Sequence, residues 1–207
     1  MIRIGYIINS HITFKRALDV VLRGMNGISK EDIYIGLGGI GKADLNGLNG
    51  YNIMRAEYQT YDFYGAIELV KHPDVLFSYD AWFMLSDTCQ LSEYTPDLLQ
   101  TVDNTFDIVR PIRAKAANIA RVSSSYLWSQ RELVLSLDNL TKRGQFETED
   151  ILFNSTSNRG YFEPPTFKCL GYATPYDGVK RSLWIFHSLK MFKWSANTGK
   201  GKFIETV

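Results

Sequence analysis

The sequence predicts an α/β fold, a mostly parallel central sheet with helices on its faces. Three observations predict it. Short apolar segments rich in β-branched and aromatic residues recur at residues 2–8, 32–37, 51–58 and 81–85, each the length of a strand. Segments 13–24 and 61–71 instead repeat their apolar residues at helical spacing. Strand and helix thus alternate through the first half of the chain, the pattern of parallel strands joined by crossovers.

Taken in order, Ile2–Ile8 reads as a buried first strand. Thr13–Gly24 reads as a helix, with Phe14, Ala17, Leu18, Val21 and Leu22 on one face. Asp32–Leu37 is a second short strand. It runs into GLGGIG, Gly36–Gly41, which has the form G-x-G-x-x-G of a dinucleotide-binding turn. That turn needs a helix directly after it, whose amino terminus faces the pyrophosphate. Here KADLNGLNG follows, and Asn46, Gly47, Asn49 and Gly50 disfavour helix, so residues 36–50 read as a loop. Tyr51–Tyr58 reads as a third strand. Tyr61–Lys71 reads as a helix stopped by His72-Pro73, and Ala81–Leu85 as the next strand.

The second half is less regular. Asp107–Arg113 reads as a strand and Ser123–Arg143 as a helix starting near Ser124 or Ser125. Gln145–Phe153 reads as a helix with an acidic first turn, and Asn154–Pro165 as a loop. The apolar run Val179–Lys193 reads as a helix. Residues 1–195 are expected to form one domain, and 196–207 an arm or linker to a further domain of a longer chain.

Composition narrows the function classes. Of 207 residues, 45% are hydrophobic, enough for a sizeable core. The 23 basic and 22 acidic residues nearly cancel, so nothing in the charge asks for nucleic acid or an anionic membrane. No run approaches the ~18 apolar residues of a membrane span. The amino-terminal apolar stretch is short and holds Arg3, unlike a secretion signal. Cys89 and Cys169 form no C-x-x-C pair, so a zinc site is not expected, and the reading is a reduced, cytoplasmic setting.

The chemistry concentrates at strand ends, where α/β sheets bind ligands. Asn9, Ser10 and His11 follow the first strand, and Ser86, Asp87 and Thr88 follow the strand Ala81–Leu85. A carboxylate there either caps the turn or holds Mg²⁺ or Mn²⁺, which take oxygen ligands. Glu147, Glu149 and Asp150 form a second acidic cluster. It either favours a helix amino terminus or supplies a general base. His187, in LWIFHSLKMF, is either a satisfied core residue or a further metal ligand.

In this order the pieces resemble the GT-A glycosyltransferases. The resemblance rests on the helix YDFYGAIELV before a strand that ends in SDT, where such enzymes carry a D-x-D metal motif. It rests also on AANIARVSSSYL and on Glu149-Asp150 followed by Arg159-Gly160-Tyr161. Within that family the whole chain is similar to the amino-terminal glycosyltransferase domain of large chlorella-virus proteins that glycosylate the capsid. The resemblance implies a UDP-sugar donor of the glucose or rhamnose type and a glycan acceptor. It implies Mn²⁺ or Mg²⁺ between Asp87 and the diphosphate; with one carboxylate in SDT, either the metal binds weakly without UDP or His187 completes the site. Asn9, Ser10, His11 and Ser86 would lie at the nucleotide, Asp62 would face the donor, and Glu149 or Asp150 would approach the acceptor. SDT departs from the family pattern by keeping one carboxylate of two. Transfer without a metal would need another cation, for which Arg159 and Lys190 are the candidates from sequence. A second reading is a binding module of this fold that holds a nucleotide sugar or glycan without turnover.

Overall fold

The computed structural model describes residues 2–58, 60–111, 119–137, 147, 151–154, 156–163, 170–173 and 180–194. The chain opens with β1 (Ile4–His11), α1 (Lys15–Arg23), β2 (Ile33–Gly38), β3 (Asn52–Ala56), α2 (Tyr64–Lys71) and the short α3 (Pro73–Leu76). Then come β4 (Ala81–Ser86), β5 (Cys89–Gln90), α4 (Thr95–Gln100), β6 (Ile108–Arg110), β7 (Ala120–Ser123), α5 (Ser124–Ser129) and α6 (Arg131–Leu135). The last described strands are β8 (Arg159–Tyr161), β9 (Leu170–Ala173), β10 (Arg181–Phe186) and β11 (Met191–Trp194).

Among the described residues, seven strands form the main sheet in the order β3-β2-β1-β4-β7-β6-β8. The first four are mutually parallel, and β7 runs antiparallel to both neighbours. The α/β expectation and its mostly parallel sheet are therefore met. A parallel sheet covered on both faces makes its central strands apolar throughout, and the strands sort accordingly. Ile4, Tyr6 and Ile8 of β1 join Phe83 and Leu85 of β4 under α1, whose Leu18, Val21 and Leu22 close that core. Ile7 joins Trp82 and Met84 under α2, whose Ala66, Ile67, Leu69 and Val70 close the opposite one.

Glycines set the distance between α2 and the sheet. A Cβ on Gly36 would lie 2.5 Å from the Gly65 nitrogen, and one on Gly65 would lie 2.2 Å from Ile7 Cγ1. A Cβ on Gly38 would fall inside the Tyr64 ring. GLGGIG is thus a packing surface followed by a loop, with Gly39 and Gly41 at φ of +108° and +112°.

The structure corrects three expectations in the second half. Ser123–Arg143 is not one helix. β7 ends at Ser123, whose side chain accepts the Tyr126 N–H to start α5, and Gln130 separates α5 from α6. Residues 159–161 form β8 inside the expected loop. Within the expected helix Val179–Lys193, the described residues from Arg181 on form a hairpin instead, β10 antiparallel to β11, in a second sheet ordered β5-β11-β10-β9. An apolar run of this length carries no decisive period. Aromatic and β-branched side chains in RSLWIF favour strand, and β5 and β9 supply pairing partners on either side.

Candidate active site

β1 lies between β2 and β4, and its outgoing connection leads to β2 while β4 pairs on the other side. The carboxyl ends of β1 and β4 therefore flank a point where the strand order reverses, the place where open α/β sheets bind ligands. The register sets Asn9 opposite Ser86 there.

Asn9 is buried and committed to the fold. Its Nδ2 donates to Leu85 O at 3.1 Å, and its Oδ1 accepts the Gly65 N–H at 2.7 Å. That satisfies an amide in the first turn of α2, which has no partner within the helix. Ser10 Oγ donates to Asp87 Oδ2 at 2.8 Å, and the Asp87 N–H donates to Asn9 O at 3.0 Å. Asp87 is 8% exposed. Burial pushes its carboxyl up to about 7, the Ser10 hydrogen bond and the Lys193 charge pull it back, and Asp62 pushes it further up. Asp62, in the 3₁₀ turn that leads into α2, is thus brought to the same crevice.

The two hydroxyls beside Asp87 are held by a lysine that was not singled out in the sequence. Ser86 Oγ and Thr88 Oγ1 are 2.7 Å apart. Lys193 Nζ donates to Ser86 Oγ at 2.8 Å and to Thr88 Oγ1 at 3.1 Å. β11 delivers it, because Lys193 pairs with Cys89 and the Trp194 N–H donates to Thr88 O at 3.0 Å. The signal in the sequence was a lone cation between two aromatics in FKW, legible only once the run is a strand.

On the other side of Ser10, His11 Nδ1 accepts the Thr13 N–H at 3.3 Å and lies 2.9 Å from Thr13 Oγ1. Partial burial and the Arg55 charge lower its pKa. The ring is therefore neutral at pH 7, with its proton on Nε2, the atom nearest Gly39. Arg55, from β3, donates through Nη2 to Gly41 O at 2.6 Å, while its Nη1 is buried with no partner among the described residues.

The remaining sequence candidates lie elsewhere. His187 is exposed in the β10–β11 turn, not on a helix. The register puts that turn at the Phe186–Met191 end of the hairpin, and Lys193 at the other. Lys190 lies over the Tyr94 ring, and Arg159, on the far edge strand β8, donates to Asn154. Glu149 and Asp150 lie outside the described residues.

Nor do these side chains fit a divalent cation. Mg²⁺ and Mn²⁺ demand several oxygens, with carboxylates supplying the compensating charge. Here one buried carboxylate already accepts from Ser10, and both flanking hydroxyls already accept from an ammonium. Among the described residues, no group of three or more His, Cys, Asp and Glu side chains is placed to hold a metal.

No protein-family model matches the chain, and no curated protein matches it. Solved structures do. One is the galactosyltransferase LgtC in complex with donor and acceptor sugar analogs, 14% identical over 75% of this chain and 72% of that one, with a TM-score of 0.43. Another is an active-site mutant of LgtC, also 14% identical with the same coverage, at a TM-score of 0.44. No helix among the described residues is long and apolar enough to cross a membrane.

Proposed function

We propose that the chain is a glycosyltransferase domain that moves a hexose or deoxyhexose, of the glucose or rhamnose type, from a UDP-sugar to a hydroxyl of a glycan acceptor. The observation that carries this reading is the Ser10–Asp87 pair at the reversal point between β1 and β4. The order of motifs that resembles the GT-A enzymes supports it. The same resemblance favours a role in glycan assembly of the chlorella-virus type, in the host cytoplasm.

In the reaction the acceptor oxygen attacks the anomeric carbon, the bond from that carbon to the diphosphate breaks, and its electron pair leaves with the nucleoside diphosphate. Glu149 or Asp150 takes the acceptor proton in this reading. Ser10 holds Asp87 at one oxygen, leaving Oδ1, which has no side-chain partner among the described residues, to accept from a donor hydroxyl. His11, with Nε2 protonated, and Arg55 Nη1 offer donors to the nucleotide. The divalent cation that the resemblance implies enters no step, since the side chains do not fit it.

One observation favours the second reading, a binding module without turnover: the motif keeps a single carboxylate. Incubating the protein with UDP-glucose, UDP-galactose and UDP-rhamnose and following release of UDP separates the two. Release above the uncatalysed rate is expected. Binding without release would make the chain a module, and neither binding nor release would end the glycosyltransferase reading.

A further inference from the structure

We infer that Lys193 is the cation that receives the donor's diphosphate, in the place where related sites are built around a metal. The inference rests on the nucleotide-sugar reading above and names what that site does with the leaving group.

The two outer positions of the motif are hydroxyls, and both accept from the same ammonium, at 2.8 and 3.1 Å. An ammonium carries three donors and no acceptor. Two are spent on Ser86 and Thr88, and the third has no partner among the described residues. Lys193 is half-buried, and its charge acts directly on Asp87 and on the buried Cys89 thiol. A cation is therefore already seated at the strand end, oriented by two neutral hydroxyls, with a donor to spare. A lysine in this position binds phosphate as a point charge.

The position is also fixed by the backbone. β5 and β11 pair at Cys89 and Lys193, and Trp194 bonds Thr88. From that backbone position the Lys193 side chain reaches both hydroxyls of the motif. A divalent ion at Ser86 and Thr88 would have to displace the ammonium against charge repulsion. When the bond to the anomeric carbon breaks, the departing oxygen gains a full negative charge. The Lys193 N–H donates a hydrogen bond to the diphosphate and keeps its proton, so no further acid or metal is needed to balance the charge.

The test is calorimetric titration of UDP, GDP, CDP and dTDP, with uridine as the phosphate-free control, in EDTA and then in Mn²⁺. For the nucleotide that binds, affinity is expected to agree within about twofold between the two conditions. Lys193→Met is expected to weaken the diphosphate by about tenfold or more while leaving the nucleoside within about twofold, and Lys193→Arg to restore most of the loss. A purely structural lysine would move nucleoside and diphosphate together. If Lys193→Met does not fold, Lys193→Gln keeps a donor to the two hydroxyls without the charge and carries the same comparison. Binding that requires Mn²⁺, or a charge-free variant that binds the diphosphate as the wild type does, overturns the inference and leaves the donor-site reading standing. Failure of all four diphosphates to bind the wild type overturns that reading, and this inference with it.

Discussion

At Asp87 two effects oppose each other, and burial wins. Desolvation raises the carboxyl from the ordinary aspartate value of 3.8 to about 7, against the pull of Ser10 and Lys193. A group whose folded pKa is raised contributes stability that is complete below about 4 and is lost as pH rises through about 7. Its ionisation costs the folded state on the order of a few kcal/mol by pH 8. Asp87→Asn keeps an acceptor for Ser10 and removes that cost. Its melting temperature, relative to wild type, is expected to climb by several degrees between pH 4.5 and pH 8, measured by circular dichroism; a constant difference would mean that Asp87 is better solvated than its burial indicates. His11 answers to Arg55, whose charge helps keep the imidazole pKa low. Arg55→Met is expected to move the His11 titration, followed by NMR of the ring protons, toward higher pH. An unchanged or lower value would separate the two side chains. Ser10, His11 and Asp87 were legible as strand-end polar residues, and Asp62 only through the family resemblance. Lys193 was not, because its role depends on a pairing between residues more than a hundred positions apart.

Among the elements, α2 shows how close packing overrides local preference. Glycine inside a helix costs ~1 kcal/mol relative to alanine, so Gly65→Ala in isolation would stabilise α2. Here the new Cβ would meet Ile7 Cγ1 at 2.2 Å and Asn9 Oδ1 at 3.0 Å. Overpacking of this kind costs ~1–3 kcal/mol, which outweighs the propensity gain. Gly65→Ala is expected to lower stability in urea by ~1–2 kcal/mol and, by displacing Asn9, to weaken nucleotide binding; a more stable variant would contradict the packing described. The first-half elements were readable because alternating strands and helices carry distinct periods. The β10–β11 hairpin was not, since the short apolar runs of Val179–Lys193 carry neither a clear helical nor a clear strand period. The cue that distinguishes it, a turn at His187–Lys190 with Lys190 at a φ of +48°, is a tertiary outcome.

Across the molecule the two sheets share one core. Phe83 and Leu85 of the main sheet cluster with Phe186, Leu189 and Met191 of the hairpin, with Leu91 before α4 and with Leu99 of α4. The hairpin that carries Lys193 is therefore expected to melt with the nucleotide-binding half in a single transition, coincident by far-ultraviolet circular dichroism and tryptophan fluorescence. Two separated transitions would mean that the second sheet is an independent unit. The fold class was legible because a doubly covered parallel sheet imprints its apolar strands on the sequence. The site was legible only in part, because its charge balance is assembled from β1, the start of α2, β4 and β11. The central claim is that the donor binds where β1 and β4 end. Titrating UDP-glucose into ¹⁵N-labelled protein tests it most directly. The largest amide shifts are predicted at residues 9–13, 62–65 and 86–89. A cavity of about 470 Å³ lined by Arg16, Asp19, Arg23 and Tyr51 includes none of Ser10, His11 and Asp87, and shifts confined to those residues, or no shifts at all, would contradict the account.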